Sequence, residues 1–481
     1  MPAVKGNTRQ SQRRRELHNY AEVDNGVRAE DSKYTRALEH RFFDEAKFET
    51  VEGHEVTRQF LIETGFPAPV LVKDAAGLGL SMPPESFSVD EIVRLVGGER
   101  DMNVIEVATQ QEIEGYNLYQ FGYYFKHPRA RRRTLNVISL EVSGTPLGDI
   151  IQRPTAVRDL DWVDRVWPTD SDLVLRPKVQ LYCLLGVAGC FTDFHIDFGG
   201  SSVFYHVVKG HKVFLFVPPT PANIARYEQW TASPTQSDVF FTDMLAQGEC
   251  KQFHIRTGET LFIPSGWIHA VFTPTDTIVF GGNFLHDLSI PMQIDISRIE
   301  ARTKVPQTFR YPFFRRSHWY VAMNMTQRLL LGTHSPHYLS LLLTAIYSGK
   351  GHKHSELTEV ELAAIPRLIQ FLSNILDRRA EAAFHKGPPP PDREEEGFFR
   401  EDELPYGLWG EGARIIAELK TAYAGEHGGS VLVIDTSINE DKIIADDDES
   451  PRKRSRRKQA GSPSKRTPSS SPVKPEPAAA E

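Results

Sequence analysis

A mainly β chain, built around a closed double-sheet jelly roll with flanking α/β and α-helical regions, is the fold class the sequence predicts. Three observations carry it. From Val179 to Leu285 the chain is a succession of short β-prone runs, each ended by glycine or proline, the punctuation of an all-β architecture. Tight-turn signals recur inside that stretch, at Lys209-Gly210-His211 and Thr257-Gly258-Glu259. Two short stretches bearing metal-ligand residues, around His195 and around His269, lie 74 positions apart, and a barrel of the cupin type (a double-stranded β-helix) is an arrangement that brings such distant strands together.

Taken in order, residues 1–35 are polar and arginine-rich, with Arg13-Arg14-Arg15, and are expected to form a disordered arm. Residues 36–131 read as a mixed α/β region. It holds a helix around Glu55 to Glu63 and a short strand from Pro69 to Lys73. Ser88-Val89-Asp90-Glu91 is a capping box whose helix runs to Val96 and stops at Gly97-Gly98. Asn103 to Val107 reads as a strand. The basic run Lys126-His127-Pro128-Arg129-Ala130-Arg131-Arg132-Arg133 is read as a solvated loop, with a contact to DNA phosphates beside the site as the alternative.

The jelly roll is expected over residues 132–300. Asn136 to Val142 alternates apolar with polar side chains and reads as a strand, and Val179 to Val187 reads as a buried one. Ser202 to Val208 and Lys212 to Val217 flank Lys209-Gly210-His211 as a hairpin signal, and Pro218-Pro219 ends the second run because proline cannot donate to a ladder. Thr260 to Ile263, Trp267 to Phe272 and Thr277 to Phe280 complete the set.

The chemistry is concentrated in Phe191-Thr192-Asp193-Phe194-His195-Ile196-Asp197-Phe198-Gly199-Gly200. In an extended chain residues two apart share a face, so His195 and Asp197 aim an imidazole and a carboxylate at one point. His269 arrives within Ile263-Pro264-Ser265-Gly266-Trp267-Ile268-His269-Ala270-Val271. Two histidines and one carboxylate form the facial triad of non-haem Fe(II) oxygenases, which leaves coordination positions open. An isolated His-x-Asp is more often an exposed strand pair. Lys212, however, lies 17 residues after His195 inside an apolar run, and a buried ammonium needs a partner. A dicarboxylate cosubstrate supplies one, with the Thr192 hydroxyl on the same carboxylate.

The chain has 481 residues, 40% of them apolar, enough for a sizeable core. Its net charge of −7 is uneven. Residues 451–481 carry nine Lys/Arg against Glu476 and Glu481, or +7, and the preceding 450 residues carry 47 basic and 61 acidic side chains, or −14. A basic tail suits nucleic acid and an acidic body a basic partner, although the latter is also ordinary solubility. The three cysteines, Cys183, Cys190 and Cys250, form no Cys-x-x-Cys, which predicts neither a disulfide framework nor a zinc finger. There is no signal peptide and no apolar run of about 20 residues, so a soluble intracellular protein without membrane association is expected.

The runs Asn136 to Val142, Ile151-Gln152-Arg153-Pro154, Asp161-Trp162-Val163-Asp164, the triad stretch, Ile263 to Val271, Gly281-Gly282-Asn283-Phe284-Leu285-His286 and Arg310-Tyr311-Pro312-Phe313-Phe314 resemble Jumonji-C (JmjC) histone lysine demethylases. The likeness covers roughly residues 85–325 and is closest to the subgroup acting on lysine 36 of histone H3. It implies that His195, Asp197 and His269 hold Fe(II) as the catalytic centre. It implies that Thr192 and Lys212 bind the distal carboxylate of 2-oxoglutarate, whose keto-acid end chelates the iron, and that Asn136, Tyr205 and Asn283 line the same cofactor-binding pocket. For the two asparagines strand-end hydrogen bonding is the alternative, and for Tyr205 core packing. The implied reaction consumes O2 and 2-oxoglutarate, hydroxylates an N-methyl group and releases formaldehyde and succinate. Animal members of that subgroup add zinc-bound modules, an F-box and leucine-rich repeats; this sequence looks like a fungal-type member without the zinc and repeat modules.

Residues 301–425 read as helical. Tyr338 to Ser348 is strongly apolar, Pro366 is expected to open a helix at its first turn, Gly387 through Pro391 is a break, and Leu408 to Tyr423 is a last helix. A helical cap on the jelly roll is favoured over a partner surface. His352 and His354 sit with Gly351 and Lys353 and read as a surface loop rather than a metal site. Residues 426–481 form an acidic-then-basic tail expected to be disordered. Val431-Leu432-Val433-Ile434-Asp435 ahead of Asp446-Asp447-Asp448-Glu449 resembles a SUMO-interacting motif, or else is a strand packed on the domain, and Val473-Lys474-Pro475-Glu476 resembles a SUMO-attachment site. Arg452-Lys453-Arg454-Ser455-Arg456-Arg457-Lys458 is a nuclear-localisation signal that also suits DNA, and Ser462, Thr467 and Ser471 each precede proline as phosphorylation candidates.

The sequence thus reads as a nuclear Fe(II)/2-oxoglutarate-dependent dioxygenase, a chromatin regulator that demethylates mono- and dimethyl-lysine 36 of the H3 tail. Alternatives are a demethylase of H3 lysine 9 or 27, a protein side-chain hydroxylase, and a non-enzymatic chromatin scaffold.

Overall fold

The computed structural model describes residues 34, 38, 40–168, 176–330, 357–386 and 411–426. Among the described residues fourteen strands build two sheets. Eight of them make the jelly roll, in chain order β7 (Tyr182–Gly186), β8 (Cys190–His195), β9 (Ser202–Lys209), β10 (His211–Val217), β11 (Lys251–Arg256), β12 (Thr260–Ile263), β13 (Ile268–Thr273) and β14 (Thr277–Phe284). The remaining six are β1 (Asp44–Glu45), β2 (Glu49–Val51), β3 (Val70–Val72), β4 (Val104–Glu106), β5 (Gln111–Ile113) and β6 (Leu135–Glu141). One sheet runs β1-β11-β10-β13-β8 and the other β2-β3-β12-β9-β14-β7-β6-β4-β5. Pairing is antiparallel except for β1 with β11 and β2 with β3. The expected jelly roll is therefore present, with each sheet extended at its edges by the preceding α/β region.

Between the sheets lies an apolar interior containing Val203, Tyr205, Val207, Phe214, Phe216, Leu261, Ile263, Val271 and Val279. The opposite face of the smaller sheet packs Leu215, Val217, Ile268 and Ala270 against Trp230 of the helix Pro221–Ala232 and against Phe241. Alternate residues of β10 thus serve two cores, the period-2 consequence of a strand buried on both faces.

Several local expectations hold. Ser88 and Glu91 form the capping box of the helix Val89–Val96, which ends at Gly97. The expected hairpin at Lys209-Gly210-His211 does not form: β9 pairs with β12 and β14, while β10 pairs with β11 and β13 in the other sheet. Gly210, at φ +99°, is a corner between sheets. A tight turn fixes only a reversal of direction, and the twist of a closing barrel sends the next strand to the opposite sheet.

Pro366 does not open a helix. It sits inside the helix Glu359–Lys386, whose N-terminus is a second capping box: Glu361 N–H donates to Thr358 Oγ1 (3.3 Å) and Thr358 N–H to the Glu361 carboxylate (2.7 Å). Thr-x-x-Glu is itself a start signal, and here it outweighs the proline. With Phe314–Leu330 and Gly412–Glu426, this helix closes a helical cluster around Trp319, Leu368, Leu372 and Leu419. Tyr34, within the stretch expected to be disordered through residue 35, is buried and stacks on Phe191 at 4.7 Å; residues 1–33 lie outside the described residues. Tyr338 to Ser348, His352, His354 and the tail beyond residue 426 lie outside the described residues.

Candidate metal centre and cosubstrate pocket

β8 and β13 are neighbours in the smaller sheet, and their register sets His195 opposite His269. The ring centroids are 4.2 Å apart. Asp197 lies two residues beyond the end of β8, at the entry to a 3-10 turn, Phe198–Gly200, so it stands in the loop and not in the strand. One ligand atom from each of His195, Asp197 and His269 lies within 4.8 Å of the others, the sole such group among the described residues.

The tautomers are fixed by the backbone. Nδ1 of His195 is 2.8 Å from the Asp193 carbonyl and Nδ1 of His269 is 3.0 Å from the Trp267 carbonyl. A carbonyl only accepts, so each Nδ1 carries the proton and each Nε2 presents its lone pair. Burial, then the neighbouring His195, pushes the His269 imidazole down to about 4, so it is neutral at physiological pH. Asn283 Nδ2 donates to Asp197 Oδ1 (3.1 Å) and to Ser201 Oγ (2.9 Å), orienting the carboxylate. Two imidazoles that turn Nε2 toward one point and an oriented carboxylate are a donor set that fits Fe(II).

Deeper in the barrel Lys212 is 4% exposed and its Nζ donates to Thr273 Oγ1 at 2.7 Å. It forms no ion pair with a carboxylate among the described residues, and burial lowers its ammonium to about 8. Gly186 makes room for it: a Cβ there would stand 2.8 Å from Nζ and 3.1 Å from Thr277 Oγ1. A buried cation with unused donors suits an anionic ligand.

The chain's own likenesses agree with this geometry. The family described as "JmjC domain, hydroxylase" matches residues 182–284, and "Jumonji helical domain" matches residues 288–335. Residues 182–284 carry the JmjC match. Lysine-specific demethylase 2A of Xenopus tropicalis is 47% identical over 283 residues, 56% of this chain and 24% of that protein. Lysine-specific demethylase 7A of Homo sapiens is 43% identical over 317 residues, 65% of this chain and 33% of that protein. Histone lysine demethylase PHF8 of Danio rerio is 43% identical over 301 residues, 62% and 29% respectively. The aligned segment thus spans between a quarter and a third of the length of these relatives.

The other residues singled out from sequence divide by role. Asn136 of β6 donates from Nδ2 to Thr192 Oγ1 at 3.1 Å, tying Thr192 to the larger sheet. Asn283 meets the Asp197 carboxylate, as above. Tyr205 is buried in the barrel interior with its ring edge-on to Phe214 at 5.2 Å. Sequence reasoning missed Thr273 and Gly186, which frame the Lys212 head, and Phe214 and Phe216, which flank His269 at 5.9 and 5.7 Å. The alternation of β13 contained the signal for Thr273, since His269, Val271 and Thr273 share one face.

Of the basic run before β6, Lys126 pairs with Asp90, Arg131 with Asp276 and Arg133 with Glu106. Of these, Arg131 is largely buried, whereas Lys126 and Arg133 pair at the surface. No helix among the described residues is long and apolar enough to cross a membrane.

Proposed function

We propose that the chain is an Fe(II)- and 2-oxoglutarate-dependent histone demethylase that acts on mono- and dimethyl-lysine 36 of histone H3 in the nucleus. The observation that carries the reading is the pairing of two sites: an oriented His-Asp-His donor set and, farther along the same barrel, a buried lysine without a carboxylate partner. His195, Asp197 and His269 would hold the metal, and Lys212 with Thr192 would bind the distal carboxylate of the cosubstrate. When bound, iron and 2-oxoglutarate supply oxidation of an N-methyl group by dioxygen, which ends in formaldehyde and succinate. The chain's own part is to aim both Nε2 atoms at one point through the Nδ1 contacts, to hold Asp197 through Asn283, and to anchor the cosubstrate by one charged end.

The relatives named lysine-specific demethylase 2A and 7A match this chain at similar identity, 47% and 43%. Demethylation of H3 lysine 9 or 27 is the alternative reading to lysine 36. Contact of the basic tail with nucleosomal DNA, and of Val431 to Asp435 with SUMO, belongs to the same proposal and rests on sequence alone.

The test is formaldehyde release from mono-, di- and trimethyl H3 peptides centred on lysines 9, 27 and 36, with Fe(II), ascorbate and 2-oxoglutarate. Release from the lysine 36 peptides that vanishes in His195→Ala is expected. No release from any peptide or from nucleosomes, despite 2-oxoglutarate binding, would turn the reading toward a scaffold or a side-chain hydroxylase.

A further inference from the structure

The strand that carries Thr192 and His195 is irregular, and the irregularity is what makes the site. Along β13, His269 and Val271 are two residues apart and share a face; along β8 their partners, His195 and Thr192, are three apart. A regular strand would turn one of those two side chains outward. The extra residue forms a β-bulge. Phe191 and Phe194 accordingly both pack in the outer core with Leu215 and Ile268, while Thr192 and His195 both face inward.

A bulge interrupts the ladder and leaves backbone groups to be satisfied. Here one side chain does so. Gln110, in the connection between β4 and β5, donates from Nε2 to the Phe191 carbonyl at 2.9 Å, and its Oε1 accepts from the Asp193 N–H at 3.1 Å. Its amide stands where a neighbouring strand's peptide group would stand. The same Nε2 also donates to the Val107 carbonyl at 2.8 Å, which anchors the amide to the residue that follows β4 of the larger sheet. Gln110 holds this pose at φ +54°, a region that non-glycine residues seldom adopt and that collects at functional sites. Tyr34 covers the bulge, stacking on Phe191 and donating to Asp193 Oδ2 at 3.3 Å. The Asp193 carbonyl, in turn, fixes Nδ1 of His195.

We propose that Gln110 is a positioning residue for the iron and cosubstrate sites together: by bracing the bulge at Phe191–Asp193 it keeps the metal ligand His195 and the carboxylate-binding Thr192 on one face of β8. It touches neither group and acts through the backbone. The proposal rests on the reading of the site as an Fe(II)/2-oxoglutarate centre, and its test separates the two.

The variants are Gln110→Met, which keeps the length and removes the amide, and Gln110→Gly, which removes the amide and also relieves the backbone. Leu61→Ala, in a core away from the site, serves as a control for general destabilisation. Co(II) affinity and visible spectrum, 2-oxoglutarate affinity, and hydrogen exchange at the Asp193 amide are measured on each full chain. In both Gln110 variants the Asp193 amide is expected to lose protection, and both affinities to weaken by about 10- to 100-fold, as for loss of a group that orients a ligand. The saturated Co(II) spectrum is expected to change in these variants and to stay unchanged in Leu61→Ala. Wild-type affinities and an unaltered spectrum in either folded Gln110 variant would overturn the proposal. If the wild-type chain binds neither Co(II) nor 2-oxoglutarate, the metal reading fails; the brace then stands or falls on exchange alone, and unchanged protection of Asp193 would overturn it.

Discussion

Lys212 is the residue at which stability and function pull apart. Its ammonium is buried against one hydroxyl, and burial lowers it to about 8 from the ordinary 10.5. Between those two values the unfolded chain binds the proton more readily than the folded one. The protein alone therefore gains stability as pH rises through that window and has lost this contribution once pH falls to about 8. Lys212→Met should leave the ligand-free protein at least as stable in urea, because it removes a buried charge while roughly keeping the volume. The same variant should weaken 2-oxoglutarate binding by at least about tenfold, the worth of a charged hydrogen bond, as read by titration calorimetry. Equal affinity in the variant would remove Lys212 from the cosubstrate site.

Among the elements, the helix Glu359–Lys386 shows how the helical region is fastened to the jelly roll. Glu361 is 1% exposed; it caps its own helix through Thr358 and pairs with Arg328 at 2.8 Å. Arg328 also approaches Asp287 at 3.9 Å, and Asp287 takes bonds from Trp162 Nε1 at 2.7 Å and Arg165 at 2.6 Å. Asp287 follows Asn283, the residue that orients Asp197, by four positions. Thr358→Ala should cost about 1 kcal/mol, the loss of a cap. Glu361→Ala should cost about 3–5 kcal/mol, because it removes one partner of a buried ionic network. Urea denaturation distinguishes them: similar small losses for both would show that the network carries little.

At the scale of the whole molecule the balance of buried titratable groups predicts acid lability. Desolvation pushes His206, His269, His286 and His318 each down to about 4. Each folded value lies below the unfolded one, so the unfolded chain takes up protons first and stability is lost as pH falls from about 6.5 toward 4. Glu300, which accepts from the Gly199 N–H at 2.7 Å, is raised by burial to about 7, and Asp161 is raised by burial and then by Asp164. Those two act with the opposite sign, favouring the fold at lower pH. Four histidines outweigh two carboxyls, so Tm of the metal-free protein should drop steeply below about pH 6. A flat Tm from pH 7 to pH 4.5 would contradict the burial of these imidazoles.

The sequence by itself determined the jelly roll, the triad, the buried lysine and the capping box at Ser88, because each depends on local chemistry: turn residues, alternation, ligand types and a cation in an apolar run. It misplaced what depends on distant partners. The turn at Gly210 specifies a reversal of the chain, and the sheet that receives β10 is decided only by barrel closure. Pro366 follows the local rule for opening a helix, yet Thr358 and Glu361, held by Arg328 from another helix, start it earlier. Thr192 and His195 are read from sequence into one site, yet strict alternation would set them on opposite faces, and the bulge at Phe191–Asp193 is what brings them together. A strand's face is set by register, and register is set by contacts that the linear order does not contain.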